Sequence, residues 1–196
     1  MEAKFLVNPA LKTGSLEGVE AVSTDLLMLA KLSGMGLGPG PQAVDQRLAG
    51  RLSEKMRQRK FQGNLGEHLT LKIGPDAPAR NVLLVGLGSP GKLDYRGWKE
   101  VIQLAVDRAV TMGCSRLTLE IPKDRLTAAS MNLTGTAHAI KEFVTTKLAE
   151  LTANRQGILE VELVCTPQAA RYLKKGLSIQ QRAKRSQSCT TPPSAK

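Results

Sequence analysis

The stretch NVLLVGLGSPGKLDYRGW, Asn81 to Trp98, decides the fold. Asn81 to Leu87 is a continuous apolar run of strand length, the pattern of a strand buried on both faces of a sheet. It passes into Gly86-Leu87-Gly88-Ser89-Pro90-Gly91, which has the GxGxxG spacing of a dinucleotide-binding loop. Such a loop needs a helix opening at its last glycine, so that backbone amides face a pyrophosphate. Here Lys92-Leu93-Asp94-Tyr95-Arg96-Gly97 intervenes, and Asp94 is the expected N-cap of a helix whose first apolar stripe residue is Trp98. Pro90 removes one amide donor. The first acid on the next strand, Glu120, comes about thirty residues on, where a ribose-binding acid belongs at roughly twenty. The stretch therefore reads as a central strand and a tight exit from it, not as a dinucleotide site.

Outward from this strand, strands and helices alternate. Lys4 to Asn8 is a short edge strand ended by Pro9, and Asp25-Leu26-Leu27-Met28-Leu29 is a second buried strand. Ser33 to Pro41 holds four glycines and two prolines and is a loop, with Pro41 placed to begin a helix. From Gln42 to Arg59 one amphipathic helix is expected on the stripe Val44, Leu48, Leu52 and Met56, with Arg47, Arg51, Lys55, Arg57, Arg59 and Lys60 around it. Glu67 to Ile73 is a strand, with a hairpin-like turn across Pro75 to Arg80. Trp98, Val101, Ile102, Ala105, Ala109 and Met112 define a helix stopped by Gly113. Arg116 to Ile121 is a strand ended by Pro122, Ala128 to Leu151 a helix, and Gly157 to Cys165 a strand. Thr166-Pro167 opens a last helix reaching Arg185, and SQSCTTPPSAK beyond it has the composition of a disordered tail. The domain is expected to span 1–185 and the tail 186–196. A βαβ order of this kind gives a three-layer α/β/α sandwich with a mixed, mostly parallel sheet, its antiparallel part at the Pro75 to Arg80 hairpin.

The 196 residues are 41% hydrophobic but only 3% aromatic, so the core is aliphatic, and a chain of this length fills one domain. Seven of the 28 basic residues, Arg171, Lys174, Lys175, Arg182, Lys184, Arg185 and Lys196, fall after Ala170 with no acid among them. That leaves the body with 21 basic against 17 acidic residues, only mildly positive. Cys114, Cys165 and Cys189 are odd in number and lack metal-site spacing, which excludes a disulfide framework and a zinc motif. His68 and His138 fall in a strand and a helix, as structural residues. No apolar run approaches the roughly 18 residues needed to cross a membrane, and no signal-peptide pattern opens the chain, so a reducing cytoplasm is expected.

One resemblance is specific. Lys60-Phe61-Gln62-Gly63-Asn64-Leu65-Gly66-Glu67, then Asn81 to Gly88, then Lys92-Leu93-Asp94 entering a helix, then Arg116-Leu-Thr-Leu-Glu-Ile-Pro122 resemble, in order and spacing, the amino-terminal domain of leucyl aminopeptidases. The resemblance runs from about Asp25 to about Ile179, where Gly176-Leu177-Ser178-Ile179 is similar to the segment leading into that family's catalytic half. It implies a macro-domain-like fold. It places the peptidase chemistry, with two divalent metals held by a lysine and carboxylates, in a carboxy-terminal domain whose Asn-Thr-Asp-Ala-Glu-Gly-Arg segment this chain lacks. No catalytic residue, metal ligand or cofactor of its own is therefore expected here.

Three roles follow from the resemblance. The first is a non-catalytic binding, regulatory or assembly module that self-associates or pairs with a full-length aminopeptidase. The second is a nucleotide module, since macro domains elsewhere hold ADP-ribose: Asp25 before a buried strand, Gly36 and Gly38 after it, and Gly86, Gly88, Ser89 and Gly91 as a second phosphate loop resemble that arrangement. It departs from the pattern at Ala30-Lys31, where an asparagine pair belongs. The third is nucleic-acid binding, which some leucyl aminopeptidases show, through Arg171, Lys174, Lys175, Arg182, Lys184 and Arg185, although aromatics to stack bases are nearly absent.

Overall fold

The computed structural model describes residues 1–9, 22–74, 77, 79–121, 132–152 and 157–187, with side chains as far as Leu177. Eleven elements are described: β1 (Glu2–Asn8), β2 (Thr24–Lys31), α1 (Pro39–Arg47), α2 (Arg51–Gln58), β3 (His68–Lys72), β4 (Ala79–Gly86), α3 (Tyr95–Thr111), β5 (Arg116–Glu120), α4 (Leu133–Leu151), β6 (Ile158–Val164) and α5 (Pro167–Gln187). They build one six-stranded sheet in the order β1-β6-β5-β2-β4-β3. All neighbours run parallel except β3 and β4, the expected hairpin. The expected turn at Pro75 and Pro78, the first residues of the helix placed at Ala128, and the tail from Ser188 lie outside the described residues.

The period-two alternation of the strands splits the core in two. Leu26, Met28, Leu83, Val85, Leu117 and Leu119 face one side, where α3, α4 and α5 bring Trp98, Ile102, Ile140, Phe143 and Leu173. Leu27, Leu29, Val82 and Leu84 face the other, under Val44 of α1 and Leu52 of α2. The central strands β2 and β4 are apolar on both faces because helices cover both.

The helix of NVLLVGLGSPGKLDYRGW begins where its sequence places it. Asp94 is the N-cap of α3, its carboxylate accepting from the Gly97 amide at 2.9 Å. Beyond the helix, Gly113 takes a φ of 69°, with its amide on Val110 O and that of Cys114 on Ala109 O.

The single helix expected over Gln42 to Arg59 is instead two. Ala49 (φ 51°) and Gly50 (φ 80°) break it, and the Asp45 carboxylate turns across the break to accept from the Leu52 amide (2.9 Å), the Ser53 amide (3.1 Å) and the Ser53 hydroxyl. The apolar stripe survives the break, which is why spacing alone shows one helix. Asp45→Ala should remove this cap from α2 and lower stability by about 1 kcal/mol, read as a shift in the urea midpoint.

Candidate functional site

In an open parallel sheet, ligands favour the C-terminal ends of two neighbouring strands whose following connections diverge. β2 continues through α1 and α2, on one face, to β3; β5 continues through α4, on the other face, to β6. The strands are adjacent, so their C-terminal ends form that crevice.

One wall is the N-terminus of α1. Gly38 is its N-cap with no side-chain cap, and Pro39 and Pro41 bring no amides. Against the first turn lies Glu120, the last residue of β5. A Cβ on Gly40 would stand 2.0 Å from Glu120 Oε1, so a larger residue there requires this carboxyl to swing aside. Glu120 is 6% exposed and its Oε2 has no hydrogen-bond partner. Burial pushes its pKa up to about 7, and a hydrogen bond from the Ala30 amide offsets only part of that rise. Sequence spacing discounted Glu120 as a ribose acid. Its one mark in the sequence is a charged residue inside an apolar strand.

The glycine loop beside the crevice is fastened rather than open. The Gly86 amide donates to Glu67 O (2.7 Å), that of Leu87 to Lys31 O (2.9 Å) and that of Gly88 to Gly63 O (3.0 Å), while Gly88 O accepts from Ser33 (2.9 Å). A Cβ on Gly86 would meet Asn64 O at 2.0 Å, so the glycine serves close packing of the 63–64 backbone. Gly88 and Gly91 have φ of 74° and 70°, and Ser89 is exposed.

The Gln62 to Glu67 turn is itself an occupied anion nest. The Glu67 carboxylate accepts from the amides of Gln62, Gly63 (2.8 Å) and Asn64 (3.0 Å). Burial works to raise its pKa, but the amides of Asn64, Gln62 and Gly63 and the charge of Lys31 bring it below the ordinary value. Buried Lys31 donates to Leu32 O (3.1 Å) and Gln62 O (2.9 Å), tying the end of β2 to the same turn.

Of the residues singled out from sequence, Gly36 and Gly38 line the approach to α1, and Gly86, Gly88, Ser89 and Gly91 lie in the adjoining turn. Asp25 does not join them. It sits at the opposite end of β2, about 20 Å from Lys31 by strand rise. There its carboxylate accepts from Ser115 N (2.9 Å), Ser115 Oγ (2.8 Å) and Arg116 N (3.1 Å) and pairs with Arg80 at 3.2 Å. Burial acts to raise its pKa, but the bonds from Ser115 and Arg116 and the Arg80 charge outweigh it and hold it low.

Arg171, Lys174 and Lys175 are exposed on α5, Arg171 stacking over Tyr172 at 4.7 Å. Arg182, Lys184 and Arg185 belong to the same helix, their side chains outside the described residues. A second basic surface, Arg47, Arg51, Arg57, Arg59 and Lys60, is exposed on and just after α1 and α2, on the other face of the molecule. The His68 ring lies between Arg108, whose Nη2 stands 2.9 Å from Nε2, and Gly66 O, 3.1 Å from Nδ1. Cys114 and Cys165 are buried, and burial pushes both thiols up to about 11, which disfavours a nucleophilic thiolate. Among the described residues no group of three or more His, Cys, Asp and Glu side chains is placed to hold a metal, and no helix is long and apolar enough to cross a membrane.

A six-stranded mixed sheet between helical layers, with its crevice at β2 and β5, is a macro-domain-like α/β/α module. Solved structures agree: a macrodomain of Oceanobacillus iheyensis matches at a TM-score of 0.65 over 92% of this chain and 93% of that one, at 13% identity. A tomato leucine aminopeptidase matches at 0.63 over 90% of this chain but 36% of that one, at 19% identity. The chain belongs to the cytosol aminopeptidase family, as its N-terminal domain, whose profile matches residues 29–154. A probable cytosol aminopeptidase of Stutzerimonas stutzeri is 40% identical over 70 residues, 36% of this chain and 14% of that protein. The matching stretch is thus well under a fifth of this relative's length.

Proposed function

We propose that this chain is a non-catalytic binding, regulatory or assembly module that works in the cytoplasm in association with a metal-dependent aminopeptidase. The observation that carries this reading is membership of the family's N-terminal domain across residues 29–154. The fastened turns at residues 31–33, 62–67 and 86–88 support it, because they make a rigid end rather than a mobile ligand loop. That end exposes Met35, Leu65 and Tyr95, apolar side chains of the kind that interfaces cover. Incubating the chain with manganese or zinc and a leucyl chromogenic substrate is expected to give no turnover. Turnover that follows the protein through purification would overturn the non-catalytic part.

A second reading is a nucleotide site in the crevice, favoured by the uncapped N-terminus of α1 and the likeness to macrodomains. Titration calorimetry with ADP-ribose tests it, and no heat at millimolar ligand disposes of it. The two basic surfaces favour nucleic acid as a further partner. That partner would show as an affinity falling steeply with salt, and a flat salt dependence would remove it.

A further inference from the structure

The face of the sheet shared with α1 and α2 carries, at the N-terminal ends of its strands, one row of alternating charge across five neighbours. Lys4 of β1 is the cross-strand partner of Glu160 of β6, which is the partner of Arg116 of β5. The β2 registers, Leu26 with Leu117 and with Asn81, put Asp25 beside Arg116 and Arg80. The order is therefore cation, anion, cation, anion, cation. The contacts follow it: Lys4 to Glu160 at 2.7 Å, Arg116 to Glu160 at 2.7 and 3.1 Å, Arg116 N to Asp25 at 3.1 Å, and Arg80 to Asp25 at 3.2 Å.

The row floors an open groove of about 480 Å³, lined also by Ser23, Thr24, Ser115 and Ile158, within the size range of small-molecule sites. Its acceptors are occupied. Asp25 takes three hydrogen bonds and an ion pair, and Glu160 binds both Lys4 and Arg116. Arg116 is engaged too, its Nη1 donating to Ser23 O at 3.2 Å.

The outer cations differ. Arg80 and Lys4 are 61% and 57% exposed, and among the described residues each makes a single ion pair, leaving most of a guanidinium's five N–H donors and an ammonium's three for another partner. Of the described side chains that line the groove three are cations and two are anions, and a concave wall focuses the difference. The groove thus offers donors and positive charge while its acceptors are saturated, which is the chemistry of an oxyanion site. The two outer cations stand about 19 Å apart at ordinary strand spacing, so one small anion engages one end at a time.

We propose that this groove binds a small ligand through a phosphate or carboxylate group, held chiefly by Arg80, with Lys4 as the outlying second cation. The test is amide NMR titration of the full chain with inorganic phosphate and, separately, with acetate, at ionic strength held constant with chloride. Saturable shifts at Lys4, Arg80 and Ser115 are expected for at least one anion, and the tighter of the two names the group. Arg80→Gln should weaken that binding roughly tenfold, the loss of one charge-assisted contact, whereas Arg57→Gln on α2 should leave it unchanged. Non-saturating shifts, or equal shifts at the α1 and α2 cations, would mean general screening and overturn the site. Unchanged affinity in a folded Arg80→Gln protein would do the same. If that variant melts out, Arg80→Lys, which keeps the charge and loses the fork of N–H donors, replaces it, with a weaker but measurable loss expected and unchanged affinity counting against the site.

Discussion

Replacing Gly86 with alanine is expected to destabilise the chain by about 3 kcal/mol, at the upper end of what over-packing a close contact costs. The added Cβ would stand 2.0 Å from Asn64 O and 2.6 Å from Gly63 C, and both are backbone atoms that cannot swing aside. To make room, the turn holding Glu67 would have to leave the end of β4, breaking the bonds from Gly86 N to Glu67 O and from Gly88 N to Gly63 O. The melting temperature should fall by roughly 10 °C for a domain of this size. Gly91→Ala is the control. Its φ of 70° makes alanine unfavourable by about 1 kcal/mol, but nothing lies within 4 Å of the new methyl. If the two variants melt together, the close approach of residues 63–64 to β4 is wrong.

The second large effect concerns Glu120 and pH. Its folded pKa, about 7, lies above the ordinary 4.5. Between those values the folded protein binds more protons than the unfolded chain, so stability falls as pH rises through this window. The loss across it amounts to about 3 kcal/mol. Glu120→Gln cannot ionise and should remove the dependence, so that it is the more stable protein at pH 8 and shows no such advantage at pH 4. Urea midpoints of both proteins across that range check this, and parallel curves would show that the carboxyl is solvated. Asp25 and Glu67 act in the opposite sense. Their folded pKa values are lowered, so their contribution is present above the ordinary values and is lost as pH falls through the folded ones.

These residues show where sequence is informative and where it is not. The strand at Asn81 to Leu87, the cap at Asp94, the stop at Gly113 and the antiparallel hairpin are local, set by residues within a few positions, and each stands where the pattern places it. The late helix start is likewise where the pattern places it, with Asp94 rather than Gly91 at the N-terminus of α3. The break at Gly50 is hidden because an amphipathic stripe continues in phase across it; the left-handed turn at Ala49 and Gly50 makes the break, and Asp45 seals it by reaching forward seven and eight residues.

The ends of β2 were hidden for a different reason. Asp25 and the glycines after Leu32 are near in sequence, yet a strand separates them by its length, so nearness along the chain became distance in space. Conversely, Lys4 and Glu160 are 156 positions apart and Asp25 and Arg116 are 91 apart, and only the strand order brings them into one row. Glu120 needed the same knowledge, because its meaning depends on Gly40 of a distant helix facing it.

The central claim, that this family module acts by docking onto an aminopeptidase, is met most directly by sedimentation velocity of the chain mixed with a full-length cytosol aminopeptidase. The account predicts that the chain co-sediments with the enzyme at micromolar concentration, and that Leu65→Glu, at an exposed position on the docking end, releases it while remaining folded. Two independently sedimenting species across the whole range from one to one hundred micromolar would contradict it.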